Sequence, residues 1–430
     1  MPFNRRLFLT SIASAGLGAA VATKVAEVKT NPQHTSDTKL LDKFVIYTGA
    51  NYGNHTIKNT HHYRRGQSSL ITEVHLKDEK VIQTPVHADS AHYPFVSARH
   101  DRIAMLDQYG PKCVILDMDH KEVTSFMAPE GYIFSGHGVL LEGTDILVTG
   151  LYNTNSKDIH DEGSLMLINL GNNIPTIDGM QTSHGLQPHD MTFMPDKKSI
   201  VIAHAGSSFK GYSGTRNSRY TKHIINPGLS FLDAKDLSLK NFIRVPGNAE
   251  VTHLDVRDDG NVICCLNQTL NTSALSASQA DRLINEEFKG TDVVFDEAEM
   301  NNRKVGVSLS LPAVMVNPST GEATNYLVNS RWQRQGQSVG YHSQSGTTVV
   351  SYIRSSGLLF IDKDNNAEAM PSGQFGIYNV SGVVDLPGTP YMAICGHKYD
   401  LCLIDMRTRT IAHTLRMPML RATHLAAHTV

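Results

Sequence analysis

Short apolar runs, each closed by Asp or Asn and followed by a polar turn, return along the whole chain. They read Val114-Ile115-Leu116-Asp117, Met166-Leu167-Ile168-Asn169, Ser230-Phe231-Leu232-Asp233, Val314-Met315-Val316-Asn317, Leu359-Phe360-Ile361-Asp362 and Cys402-Leu403-Ile404-Asp405. A weaker seventh copy is Glu73-Val74-His75-Leu76-Lys77-Asp78. An apolar run too short for a helix and bounded by Asx/Gly turn chemistry predicts a strand entering a hairpin. Upstream of most copies lies a further strand pair, such as Met191-Thr192-Phe193 then Ser199-Ile200-Val201-Ile202, joined by Pro195-Asp196-Lys197-Lys198. Four short strands in a repeating unit of about 45 residues is the signature of a propeller blade. Seven copies therefore predict an all-β chain folded as a seven-bladed β-propeller. Two longer intervals predict surface insertions, residues 206–228 and 271–300, the second containing a helical stretch from Ala274 to Lys289. Two β-sandwiches are the competing architecture, but no linker or composition break divides the chain.

The first 25 residues depart from this pattern. Asn4-Arg5-Arg6-Leu7-Phe8-Leu9-Thr10 sets paired arginines before a weakly hydrophobic, Ala/Gly-rich stretch that ends in Ala20-Val21-Ala22. That order is a twin-arginine signal segment, not a structural element. The expected organisation is a signal over residues 1–25, a linker over 26–40 and one propeller domain over 41–430. The expected location is the periplasm, with the twin-arginine translocase as a partner during export. No later apolar run approaches the ~18 residues of a membrane span.

Charge and cysteines narrow the classes further. Lys plus Arg is 39 and Asp plus Glu is 41 in 430 residues, so no basic field exists to hold nucleic acid. The basic, aromatic segment His61-His62-Tyr63-Arg64-Arg65 reads as a solvated loop, and 210–223 as a long positively charged loop that would lid the channel or dock a partner. The five cysteines sit mostly inside apolar runs, where cysteine behaves as a small buried hydrophobe. Cys395 and Cys402 flank a short turn, which leaves open a bridge across a hairpin.

Candidate chemistry is concentrated in the 21 histidines. In a propeller the innermost strands line a central channel and their first residues converge on one mouth. The strand pattern puts His92, His137, His189 and His253 at that point in four consecutive blades, with Asp190, Glu250 and Asp255 close by in sequence as ligand-binding candidates. Imidazole is the commonest transition-metal ligand, so such a ring suits Fe, Cu or Zn. The bland alternative is histidines that bridge neighbouring blades by hydrogen bonds to backbone carbonyls. No Gly-x-Ser-x-Gly elbow, His-Glu-x-x-His pair, phosphate loop or dinucleotide fingerprint occurs in the right context.

Several stretches together resemble the domain-of-unknown-function family numbered fifteen-thirteen. They are Gly136-His137-Gly138-Val139, His184-Gly185-Leu186-Gln187-Pro188-His189-Asp190-Met191, Pro195 to Ala203, Pro227-Gly228-Leu229-Ser230-Phe231-Leu232-Asp233, and His253-Leu254 before Asp259-Gly260. The resemblance implies a twin-arginine-exported propeller of the quinoprotein/YVTN-like superfamily. Genes of that family often accompany imelysin-type, iron-regulated periplasmic proteins, which implies a role in iron or haem handling and an imelysin-type partner. The chain departs from the family at Gly150-Leu151-Tyr152-Asn153, where an acidic residue usually precedes the Asn, and at Pro227-Gly228-Leu229, where Pro-Ser-Leu is favoured. Two functions remain in play: a non-enzymatic metal- or ligand-binding accessory protein, and a metal-dependent oxidoreductase or lactonase-type hydrolase using the same mouth.

The export reading carries its own test. With Arg5→Lys and Arg6→Lys together, the protein should stay in the cytoplasm, because the translocase reads the arginine pair. Fractionation of cells making the double variant checks it; efficient periplasmic delivery would remove the assignment.

Overall fold

The computed structural model describes residues 38–51, 69–88, 90–157, 159–207, 224–247, 249–267, 269–270, 307–308, 310–396, 398–420 and 422–429. The segments expected to be the signal, most of the linker, the helical stretch Ala274 to Lys289 and the loops 61–65 and 210–223 lie outside the described residues. What is described is all-β: seven four-stranded antiparallel sheets, a two-stranded ribbon of Thr269–Leu270 with Val307–Ser308, and short 3-10 turns. None of its helices is long and apolar enough to cross a membrane.

The sheets are the blades of a propeller. Numbered along the chain, blades two to seven begin with the inner strands Ala91–Ser97, Tyr132–Leu140, Pro188–Phe193, Glu250–Val256, Gly336–His342 and Val380–Asp385. Blade one is built from both ends of the chain. Its inner strand is Ala422–Thr429, which pairs antiparallel with Phe44–Asn51 (Val45 opposite His428, Thr48 opposite Leu425) before Ser69–His75 and Lys80–Val86 complete the sheet. This pairing closes the ring and leaves no open inner edge.

Every copy of the recurring sequence signature lies at the end of a third strand, and its Asp or Asn makes the same contact in each. The side-chain Oδ1 accepts the backbone N–H two residues on: Asp117 from Asp119 (3.0 Å), Asn169 from Gly171 (3.0 Å), Asp233 from Lys235 (2.8 Å), Asn317 from Ser319 (2.9 Å), Asp362 from Asp364 (2.9 Å) and Asp405 from Arg407 (2.9 Å). The weak copy does the same, Asp78 accepting from Lys80 at 3.3 Å. These Asx turns reverse the chain between the third and fourth strands of each blade.

The core is distributed, not central. Seven clusters of buried side chains occur among the described residues, one between each pair of neighbouring blades. Val201, Ala203, Leu229 and Phe231 of blade four, for example, pack on Val251, Leu254, Val262 and Cys264 of blade five. Middle strands are therefore buried on both faces, as in Ser199–His204 and Thr347–Tyr352, and read as continuous apolar runs. The outer strands are wet; Thr176–Thr182 is exposed at almost every position. The bridge between Cys395 and Cys402 does not form. Cys402 stands opposite Ile394, so on a pleat of period two Cys395 points to the other face, and both thiols are free and buried.

Polar contacts lock adjacent blades along their rims. His120, in the turn between the outer strands of blade two, reaches back to Glu73 of blade one (Nε2 to Oε2, 3.0 Å) and to the Thr84 hydroxyl (2.9 Å). His75 approaches the other oxygen of Glu73 at 2.7 Å. His100 of blade two meets Asp145 of blade three at 2.9 Å, and Arg257 of blade five donates to Asn365 Oδ1 (2.8 Å) and the Lys363 carbonyl (3.1 Å) of blade six.

Two expectations follow from closure and from this lock. A chain stopped after Met370 loses blade seven and the inner strand of blade one, which bares two apolar faces and an unpaired edge. It should be recovered only as insoluble protein, and a soluble folded 40–370 fragment would mean separate domains. For Glu73, burial raises the carboxyl pKa, but the hydrogen bonding and charge of His120 and His75 together outweigh it and leave the carboxyl below its ordinary 4.5. A group depressed in the folded state contributes stability above its unfolded value and loses it as pH falls through the folded one. The difference in thermal midpoint between wild type and Glu73→Gln should therefore shrink as pH is lowered from 4.5; a constant difference across that range would contradict it.

Candidate metal centre in the channel

The inner strands share an irregularity that the sequence pattern does not announce. In every blade the pairing of the inner strand with its neighbour slips: between Ala91 and Tyr93, Phe134 and Gly138, Pro188 and Met191, Val251 and Leu254, Gly336 and Ser338, Val380 and Gly382, and opposite Thr48–Ala50 in blade one. A β-bulge leaves residues unpaired and re-aims their side chains. The residues caught in the slips include His92, His137, His189, His253 and His424, with Gln337 and Ser381 in the two remaining blades. The bulges turn imidazoles from five consecutive blades into the channel.

There the rings form one cluster. Centroid separations are 5.0 Å for His92–His137, 4.4 Å for His92–His424, 4.9 Å for His137–His424, 5.1 Å for His137–His253, 4.4 Å for His253–His424, 5.2 Å for His137–His189 and 4.6 Å for His189–His253. All five side chains are buried. Room for them is made by Gly136, at φ +99°, where a Cβ would lie 2.6 Å from Cδ2 of His92.

Four of the five offer ligand atoms that lie within 4.8 Å of one another: His92, His137, His253 and His424. This group could hold a metal ion. Nε2 of His92, His137 and His424 is buried with no hydrogen-bond partner, a costly state for a polar atom. His189 stands beside the four. Its Nε2 is 3.1 Å from Nε2 of His253, and its Nδ1 is hydrogen-bonded by the hydroxyl of buried Tyr152. Nδ1 of His253 faces Cys265 Sγ at 3.9 Å.

Burial sets the protonation of the cluster. It drives His92, His253 and His424 well below the ordinary imidazole value, and neighbouring imidazoles add to the effect. Burial alone brings His137 down to about 3. At neutral pH these rings are uncharged and carry free lone pairs, the form in which imidazole binds metal.

Carboxylates form the next layer. Asp190 Oδ1 lies 3.2 Å from Nδ1 of His137, a spacing that suggests an ion pair. Burial nevertheless pushes Asp190 up to about 7, against the lowering effect of its backbone partners, while His137 is driven down. The contact is best read as a hydrogen bond between largely neutral groups. Asp190 also accepts N–H of Met191 (2.8 Å) and, across to blade five, of Leu254 (3.2 Å). Asp255 repeats the device: it accepts Val256 N–H (2.8 Å) and Tyr341 N–H of blade six (2.7 Å), and burial raises it to about 7. Both carboxylates clip one inner strand to the next.

The structure thus brings His92, His137, His189 and His253 together with Asp190 at one level of the channel, and Asp255 in the clip layer. Glu250 is elsewhere: it is buried with Oε1 accepting the Ser207 hydroxyl at 2.5 Å. His424 escaped the sequence reading because its strand follows the last sequence repeat. A signal was present. Among the described residues one strand, Phe44–Asn51, precedes the strand that carries the first repeat copy, and the inner strand of that blade comes from Ala422–Thr429.

A family model described as a protein of unknown function (DUF1513) matches residues 87–295. That span holds His92, His137, His189 and His253 but stops short of His424. No curated protein matches the chain.

Proposed function

We propose that this β-propeller binds a transition-metal ion in its channel, through His92, His137, His253 and His424 with His189 beside them, as a periplasmic accessory protein linked to iron handling. One observation carries the reading: imidazoles from five blades converge while three buried Nε2 atoms have no partner among the described residues. Satisfying three orphaned acceptors with one ion accounts for an arrangement that otherwise costs stability. The paired arginines near the N-terminus support export of a folded, loaded protein and hence the periplasm. The likeness to family fifteen-thirteen supports iron and an imelysin-type partner.

Binding fits the site better than catalysis. Catalytic metal sites keep a position open for water or substrate, whereas here four protein imidazoles are close enough to fill the four positions of a tetrahedral ion. A lactonase-type Ca²⁺ centre needs carboxylate oxygens, and Asp190 and Asp255 both spend theirs on backbone N–H groups of the inner strands.

The test is metal content and thermal midpoint, with and without chelator, for protein purified from its native periplasm and for His137→Ala, His253→Ala and His424→Ala. Wild type should carry about one ion per chain and lose thermal stability to chelator. Each single variant should lose the ion and become insensitive to chelator, and a second substitution should add less than the first. If wild type carries no stoichiometric metal and chelator leaves its midpoint unmoved, the histidines are scaffold. Each would then cost about 1–3 kcal/mol on truncation.

A further inference from the structure

We propose that the channel ion is the clasp of the ring. Bound by His424 together with His92, His137 and His253, it holds the closing strand Ala422–Thr429 in place, so that occupancy of the site sets how readily the propeller parts at blade one. The inference rests on the reading that metal binds here and adds what the ion controls.

Three consecutive residues at the start of the closing strand reach other blades. The Ala422 carbonyl accepts the Ser381 hydroxyl of blade seven at 2.5 Å. The Thr423 hydroxyl lies on the carbonyls of Gly49 in its own blade (2.9 Å) and of His92 in blade two. His424 turns into the channel, its ring centroid 4.4 Å from those of His92 and His253 and 4.9 Å from that of His137. The segment that shuts the ring is thus also the one that delivers a ligand. An ion bound there joins blade one to blades two, three and five.

This strand gains most from such a tie. In blades two to seven the inner strand turns directly into the second, as Pro188–Phe193 does into Ser199–His204, so a parted pair stays close. In blade one Phe44 stands opposite Thr429, with the rest of the ring between them in sequence. Parting there opens a loop as long as the propeller, and the entropy released grows with loop length. The ladder is also interrupted at the level of His424, where the pairing slips between Thr48 and Ala50. A metal-free site works against closure, because seating His424 buries its Nε2 with no hydrogen-bond partner. An ion removes that cost and cross-links the strand to three other blades, so that parting requires the loss of one of four donors.

The experiment is hydrogen–deuterium exchange of the whole protein, stripped with chelator and then supplied with Zn²⁺ alone, sampled at times shorter than global unfolding. In metal-free protein the amides of Ala422–Thr429 should exchange faster than those of Gly336–His342, the inner strand of blade six, which gives no ligand to the cluster. Saturating Zn²⁺ should slow the first strand at least about 10-fold and the second less than about 2-fold. Alkylation of Cys395, whose Sγ lies 3.8 Å from the Thr423 carbonyl oxygen and which packs with Ala422 and Leu425, should slow in step with the closing strand. In His424→Ala, Zn²⁺ should leave exchange of that strand unchanged. Suppose instead that Zn²⁺ is held at about one per chain but slows both strands equally, slows neither, or leaves Cys395 alkylation unchanged. Any of these would overturn the clasp and leave metal binding standing, as would slowing of wild-type size in His424→Ala. If no Zn²⁺ is retained, the metal reading fails and the clasp goes with it.

Discussion

Closure of the ring is the constraint on which everything else in this protein depends. Each blade has two apolar faces and can bury both only between two neighbours, so the seven inter-blade cores exist together or not at all. The last contact is made by the strand Ala422–Thr429 against Phe44–Asn51, the two ends of the propeller in sequence. Apolar burial drives the packing, but the hydrogen-bond ladder between the chain ends turns an open array into a ring with a defined axis. Only a defined axis gives side chains from separate blades a common point to converge on.

The channel shows how the fold converts that symmetry into chemistry. A regular strand alternates its side chains, so the innermost strand of a blade aims only some residues at the axis. A bulge at the same level of all seven inner strands breaks the alternation. The strand irregularity is tolerated because the layer beneath is pinned. Asp190 and Asp255 carry hydrogen bonds from one inner strand to the next, and the Ser338 hydroxyl does the same for Val383 N–H at 3.2 Å. Partly unpaired backbone at the slips is thus neighboured by side-chain clips between the inner strands. Such pinning is what a preformed ligand site needs, since donors must be held in place before the ion arrives.

The neutral character of the cluster has the same origin. Five imidazoles within contact distance cannot be protonated together, and burial among the blades removes the water that would screen them. The rings that close the channel to solvent are thereby kept in the form that carries a free lone pair. Burial has the opposite consequence for the carboxylates, which it raises toward neutrality. One physical cause therefore leaves imidazole lone pairs free and brings the carboxyls toward neutrality.

Blade number and strand order were legible in the sequence because they are local facts. The Asx turn needs its Asp or Asn two residues before the N–H it accepts, and a doubly buried strand needs an unbroken apolar run, so Val114–Asp117 and Leu359–Asp362 announce themselves. Four of the five clustered histidines were legible too, since each opens or follows the start of a strand that heads a repeat. His424 was not, because its blade is assembled from strands far apart in the sequence, Thr48 and Leu425 standing opposite each other. The slips of register, the contact of Asp190 with His137, the turning of Glu250 to Ser207 and the hydrogen bond between Tyr152 and His189 were decided by tertiary structure alone. A bulge has no fixed residue signature, and which donors meet on the axis depends on the angle between blades. No stretch of chain short enough to be read as a pattern contains that angle.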